Sequence, residues 1–176
     1  CSFRRYFRAT LNEASFVVMD APPEKENTKP FIKVSELLNG YGYSAPKIIK
    51  ADPVNGFLIL EDFGDETYTK ALSQRTGEMD LYRLAIDLLI DLGRRNYSEE
   101  INFLPVYDRP KLLEEVLLFI DWYLIPRLKV PISDLKRKEF LSIWDTCLDE
   151  LVEGSQNVVV LRDYHVDNLI HLSDRN

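Results

Sequence analysis

Val158-Val159-Val160-Leu161-Arg162-Asp163-Tyr164-His165-Val166-Asp167-Asn168-Leu169-Ile170-His171 is the stretch on which the reading of this chain turns. The branched aliphatics of residues 157–161 predict a buried strand, Leu169 to His171 a second short one, and the polar run between them a loop. An Asp with an Asn five positions later has two readings. Both residue types favour turns, so the pair fits a plain hairpin. The same spacing fits phosphoryl transfer, in which a carboxylate orients the attacking hydroxyl and takes its proton. An amide oxygen a few residues on then binds the magnesium that bridges the phosphates. Placement between two hydrophobic segments, directly after Arg162, makes the pattern more specific but leaves both readings open.

Upstream, the first sixty residues read as strand. Phe3 to Thr10 alternates with period two, Ser15 to Met19 is a short apolar strand, and Leu11-Asn12-Glu13-Ala14 links them as a hairpin. Asp20-Ala21-Pro22-Pro23 ends that ladder, since proline cannot donate to it. A helix is predicted from Pro30 to Asn39, with Phe31, Val34, Leu37 and Leu38 on one face and Gly40 as its stop. Lys47 to Ile49 and Phe57 to Glu61 are two further strands across a turn-rich segment, Ala51 to Gly56.

From Asp65 the period becomes helical. Leu81, Leu84, Ala85, Leu88, Leu89 and Leu92 form one stripe, with Gly93 ending it. Asp108 caps a second helix that runs towards Pro126. Ser133 caps a third, with Phe140, Trp144, Leu148 and Leu151 inward and Gly154 as its stop. The expected fold is therefore α+β, a strand-rich lobe over residues 1–62 and a helical lobe over residues 63–176, linked near residues 60–66. The turn composition of Ser173 to Asn176 and the absence of Met at position 1 predict one part of a longer protein, truncated more at the C-terminal side.

With that order of elements, the chain resembles the aminoglycoside phosphotransferase and choline-kinase-like family, whose fold is related to the protein kinases. Leu161 to Asn168 lies where the family has a His-Gly-Asp-x-His-x-x-Asn loop, and Leu58 to Asp65 resembles its strand into the interlobe hinge. Within the family the resemblance is closest to bacterial kinases of the anomeric hydroxyl of N-acetylmuramate and N-acetylglucosamine. It is carried by Ser2 to Arg8, by Val18 to Glu26, and by Trp122-Tyr123-Leu124. The resemblance implies a two-lobed kinase-like fold, ATP as phosphate donor, Mg2+, and a small-molecule sugar or amino-alcohol acceptor. It implies Asp163 as catalytic base and Asn168 as magnesium ligand. Ser2, Phe3, Arg4, Arg5 and Tyr6 would cover the ATP phosphates, and backbone groups of Glu61, Asp62 and Phe63 would hold the adenine.

The chain also departs from the family. Leu161 replaces the His two residues before the catalytic Asp, and Met19 falls where a phosphate-binding Lys belongs. Arg4, Arg5 and Lys25 are the candidates to replace that cation, with Glu36 as a possible partner or a solvated surface residue. The family's second metal-binding Asp has no counterpart before Asn176, so residues 1–176 alone are expected to be inactive. A non-catalytic, kinase-like binding module, or an aminoglycoside- or choline-type acceptor, are the alternatives.

Composition bounds the rest. A net charge of −7 over 176 residues argues against general nucleic-acid binding. Cys1 and Cys147 are too few for a disulfide framework or a zinc site. No apolar run reaches the roughly 18 residues a membrane crossing needs, and the expectation is a cytoplasmic protein. Arg4, Arg5 and Arg8 are read either as an edge that discourages strand pairing or as anion binders. Trp122 and Tyr123 are expected in the core rather than on a sugar platform, Cys147 is expected buried, and His165 is expected to orient its loop.

Overall fold

The computed structural model describes residues 3–74, 77–97, 99–152 and 158–173, apart from the side chains of residues 150–152. Ser2, Asn157, Gly154 and the side chain of Leu151, all used above, lie outside the described residues. The chain divides into two compact units, residues 1–103 with 161–176, and residues 104–160.

In the first unit, β1 (Arg5–Leu11) and β2 (Ala14–Asp20) pair antiparallel, from Arg5 opposite Asp20 to Leu11 opposite Ala14. Their two-residue turn holds Asn12 and Glu13 at φ 48° and 66°, the positive values that match the twist of a tight hairpin. β4 (Phe57–Glu61) pairs with β2 on one side and β3 (Ile48–Asp52) on the other, giving the order β1-β2-β4-β3. β3 runs three residues past its predicted end at Ile49, because its pairing with β4 continues to Asp52 opposite Phe57. One face of this sheet buries Met19, Ala21, Leu58 and Leu60 against Phe31 and Ile32 of α1 (Thr28–Gly40). That helix begins two residues before the predicted Pro30, since the side chain of Asn27 caps it by accepting from the Lys29 N–H. The Ser35 hydroxyl donates to the Pro46 carbonyl (2.6 Å) and the Asn39 amide to the Ala45 carbonyl (3.0 Å), fixing the return into β3.

Two helices follow in the same unit. α2 (Tyr68–Ser73) is capped by Thr67 and was not anticipated; six residues are too few to show a period. α3 (Glu78–Arg94) buries Leu81, Ala85 and Leu92, and runs one residue beyond Gly93, which lies inside its last turn rather than ending it. Leu84 and Leu89 of the predicted stripe stay 41% exposed.

The second unit pairs α4 (Arg109–Leu118) with α5 (Asp134–Val152). Asp108 and Ser133 cap them as predicted, accepting from the N–H groups of Lys111 and Lys136. A π-helical turn, Phe119–Leu124, continues α4 and buries Ile120, while Phe119 and Phe140 stack at 6.2 Å. Arg109 bridges to Asp145 and Asp149, and Arg137 to Asp121. Trp122 and Tyr123 are 75% and 47% exposed rather than core, because in the π turn it is Ile120 that takes the buried position. Cys147 is likewise exposed, with the adjacent Leu148 occupying the buried position. Val158 to Leu161 forms no strand: a strand needs a partner, and these residues pair with none among the described residues. Of the predicted strand Leu169 to His171, only a single antiparallel bridge remains, Ile170 opposite Thr67. Among the described residues no helix is long and apolar enough to cross a membrane.

Gly56 tests the packing of the sheet. It sits at φ +77°, its carbonyl accepts from the Ala21 N–H (2.9 Å), and an added Cβ would lie 2.0 Å from the Ala21 oxygen. Gly56→Ala is expected to lower the urea unfolding midpoint by the equivalent of about 3 kcal/mol. Gly40→Ala, with open space around it, should leave the midpoint unchanged or slightly raised. Equal effects of the two substitutions would contradict the close approach.

Candidate functional site

Residues 161–171 form a loop held by α2 and α3 rather than by strands. The N–H of Tyr68 donates to the Leu169 carbonyl (2.9 Å) and that of Thr69 to the Val166 carbonyl (3.2 Å). Both donors lie in the first turn of α2, where N–H groups lack intrahelical partners, so the loop supplies what the helix end needs. Tyr164, Val166 and Leu169 pack against the buried group Tyr68, Ala71, Leu81 and Ala85. The Tyr164 hydroxyl donates to the Ala85 carbonyl of α3 (2.9 Å), and burial pushes that hydroxyl up to about 12. The Thr69 hydroxyl donates to the Asp167 carboxylate.

Within this frame Asp163 and Asn168 are joined directly. The Asn168 side-chain N–H donates to the Asp163 backbone carbonyl (2.9 Å) and lies 3.1 Å from His165 Nε2, while its own backbone N–H donates to the His165 carbonyl (2.9 Å). The Asp167 N–H lies 3.3 Å from His165 Nδ1, so each ring nitrogen of His165 faces an N–H of the loop. A neutral imidazole accepts at only one of them, which makes the two contacts alternatives set by the tautomer. With its amide nitrogen turned into the loop, Asn168 leaves Oδ1 with no hydrogen bond among the described residues. Asp163 is exposed, and its carboxylate has no ion pair or hydrogen bond among them. Arg162, immediately before it, is held at φ 58°, a left-handed conformation unusual for a residue with a side chain.

The segment leading out of the sheet is fixed just as firmly. The Glu61 N–H donates to the Lys47 carbonyl (2.9 Å), and its carboxylate accepts from the Lys47 N–H (3.3 Å). Asp62 accepts from Arg8, Ser15 and the Gly64 N–H. Arg8, then Ser15, hold its carboxyl far below the usual carboxylate range. Phe63, Tyr68, Asn168 and Ile170 line one cavity of about 520 Å³, with Pro46 and Tyr43 also on its wall.

The N-terminal candidates are engaged elsewhere. The Phe3 N–H donates to the Glu26 carboxylate (2.7 Å), Arg4 pairs with Glu26 (3.1 Å), and Arg5 pairs with Asp20 (2.5 Å). The Lys25 ammonium lies 4.6 Å from the centre of the Phe3 ring. Tyr6 is 53% exposed, and Met19 is fully buried in the sheet core. Glu36 is exposed on α1 and makes no ion pair among the described residues. No three His, Cys, Asp or Glu side chains converge as a metal cluster among them. The oxygens the loop does offer, Asp163 carboxylate and Asn168 Oδ1, are hard donors of the kind magnesium takes.

Residues 1–176 match the phosphotransferase enzyme family from end to end. The chain belongs to that family. It is 40% identical over 178 residues to the N-acetylmuramate/N-acetylglucosamine kinase of Pseudomonas aeruginosa, covering 99% of this chain and 50% of that protein. Kinases of the same name from Neisseria meningitidis and Pseudomonas putida are each 35% identical, covering 96% of this chain and 50% and 48% of theirs. The chain thus spans about half the length of the curated relatives it matches. As a phosphotransferase-family chain it combines a small antiparallel sheet with helices, and its Asp163–Asn168 loop lies in the same compact unit as that sheet.

Tyr164 provides a test of how the loop is held. Tyr164→Phe removes the bond to Ala85 and should destabilise the fold by about 1 kcal/mol. In the native protein the raised hydroxyl makes a stabilising contribution that is whole below pH 10, the ordinary tyrosine value. That contribution is lost as pH rises towards 12, because the unfolded chain ionises first. Urea titrations between pH 9 and 12 should show that loss in the native sequence and a smaller one in Tyr164→Phe. Parallel curves would remove Tyr164 from this role.

Proposed function

We propose that this chain belongs to an ATP-dependent kinase that phosphorylates a hydroxyl of an amino sugar, namely the anomeric hydroxyl of N-acetylmuramate or N-acetylglucosamine, in cell-wall recycling in the cytoplasm. The observation that carries the reading is the Asn168-to-Asp163 hydrogen bond. It turns the amide nitrogen inward and leaves one carboxylate and one amide oxygen available five residues apart. The names of the relatives support the sugar class.

In this reading Asp163 accepts the proton of the sugar hydroxyl as its oxygen attacks the γ-phosphorus. The new O–P bond forms as the bond to ADP breaks, and the proton rests on the Asp163 carboxylate. Asn168 Oδ1 is the ligand this chain offers to Mg2+. The ion supplies charge neutralisation on the phosphates. Residues 1–62 serve the nucleotide, with backbone groups of Glu61, Asp62 and Phe63 on the adenine, and residues 63–176 carry the catalytic loop in a kinase-like two-lobed arrangement. Phe63 and Asn168 lining one cavity supports that placement. Phe3 to Tyr6, with Ser2, remain the proposed cover of the phosphates.

One observation favours a second reading, a binding module without turnover: Met19 is wholly buried, so no cation stands at that strand position. Phosphorus NMR with ADP-release assays on the natural full-length protein separates the two. Turnover on an amino sugar supports the kinase, whereas nucleotide binding without turnover supports the module. Asp163→Asn should keep ATP binding and lower kcat by about 1000-fold. Near-native turnover would remove Asp163 from the base role. Asn168→Ala should raise the magnesium concentration for half-maximal rate by about tenfold, with partial rescue at high magnesium. An unchanged magnesium profile would contradict the ligand assignment.

A further inference from the structure

The Asp62 side chain is only 7% exposed and accepts hydrogen bonds from three residues. Arg8 reaches it with Nε at 2.6 Å and a terminal nitrogen at 2.9 Å, Ser15 Oγ donates at 2.5 Å, and the Gly64 N–H donates at 2.9 Å. The remaining terminal nitrogen of Arg8 donates to Asp65 at 2.6 Å. A lone exposed ion pair contributes little. Here a two-pronged guanidinium, a hydroxyl and a backbone N–H saturate a carboxylate that has almost left the solvent. The donors come from β1 and β2, so the hairpin grips a segment 54 residues further along the chain.

The grip has a local consequence. Asp62 accepting from Gly64 closes a tight turn around Phe63, with Gly64 at φ +78°. The orientation of the Asp62–Phe63 and Phe63–Gly64 peptides follows from where the Asp62 carboxylate is held. Glu61, on the other side, is already fixed by the bond from its N–H to the Lys47 carbonyl.

We propose that Arg8 and Ser15 are positioning residues for adenine recognition, acting through Asp62 to fix the backbone groups of Asp62 and Phe63. This rests on the nucleotide reading given above. Loosening the grip then costs affinity at the adenine end and leaves the phosphate chemistry at Asp163 and Asn168 alone.

The test uses the natural full-length protein, with calorimetric titration of adenosine and of ATP alongside steady-state kinetics. Arg8→Gln should weaken adenosine and ATP by the same factor, about tenfold, and raise KM for ATP equally, with kcat and the sugar KM within about twofold. Ser15→Ala should do the same to a smaller degree. Arg8→Lys, which keeps the charge but not the fork, should fall between Arg8→Gln and the native protein; these two milder variants carry the test if Arg8→Gln does not fold. Unchanged adenosine affinity in variants of a protein that binds adenosine overturns the proposal. So does a loss confined to ATP, which would put Arg8 on the phosphates, or a fall in kcat with KM for ATP unchanged. A native protein that binds neither adenosine nor ATP overturns the nucleotide reading, and this inference with it.

Discussion

The docking of residues 163–171 onto the first turn of α2 is the contact on which the candidate site depends. Two backbone N–H groups, of Tyr68 and Thr69, meet the carbonyls of Leu169 and Val166. The Thr69 hydroxyl meets the carboxylate of Asp167, 98 residues away in sequence. Each such bond contributes only about 1 kcal/mol net, but leaving a helix end or a buried carbonyl unsatisfied costs more. The short helix and the loop therefore need each other. α2 has too few residues to be stable alone, and the loop has no strand partner to hold it. Closing a contact of this range also carries an entropic cost, which the packing of Tyr164, Val166 and Leu169 on α2 and α3 offsets.

The segment from Glu61 to Thr67 is the common element of the unit. At its start it is bonded into the sheet through Lys47, and through Asp62 to the β1–β2 hairpin. At its end the Glu66 carbonyl accepts from the His171 N–H (2.7 Å), and Thr67 bridges Ile170. One stretch of backbone is thus gripped by the hairpin from one side and by the Asp163–Asn168 loop from the other.

Much of this was legible in the sequence, and the failures have physical causes. β1, β2, β4 and the helices α3 to α5 are long, periodic or clearly capped, so their spacing showed them. The Asp163-to-Asn168 interval stands in the sequence, but the bond that joins the two and the contacts to α2 and α3 that hold their loop do not. α2 escaped because its stability comes from the loop it receives, not from its own pattern. Val158 to Leu161 has strand composition and no strand, since composition cannot supply a neighbour to pair with. Arg8 was read as edge charge or anion binder, and its real partners, Asp62 and Asp65, lie more than fifty positions away. A pairing at that distance leaves no periodic trace. Cys147 and Trp122 follow residue-type habit in the sequence, whereas the π turn and Leu148 decide which neighbour is buried.

The most direct measurement is paramagnetic broadening in the nitrogen-15 NMR spectrum of the natural full-length protein, with ATP and manganese standing in for magnesium. The account predicts that Mn2+ with ATP broadens the backbone signals of Asp163 to Asn168 and the Asn168 side-chain amide. It also predicts that ATP, with or without metal, shifts the amide signals of Glu61 to Gly64. Broadening centred elsewhere in the chain, or none at the loop while ATP is bound, would contradict it.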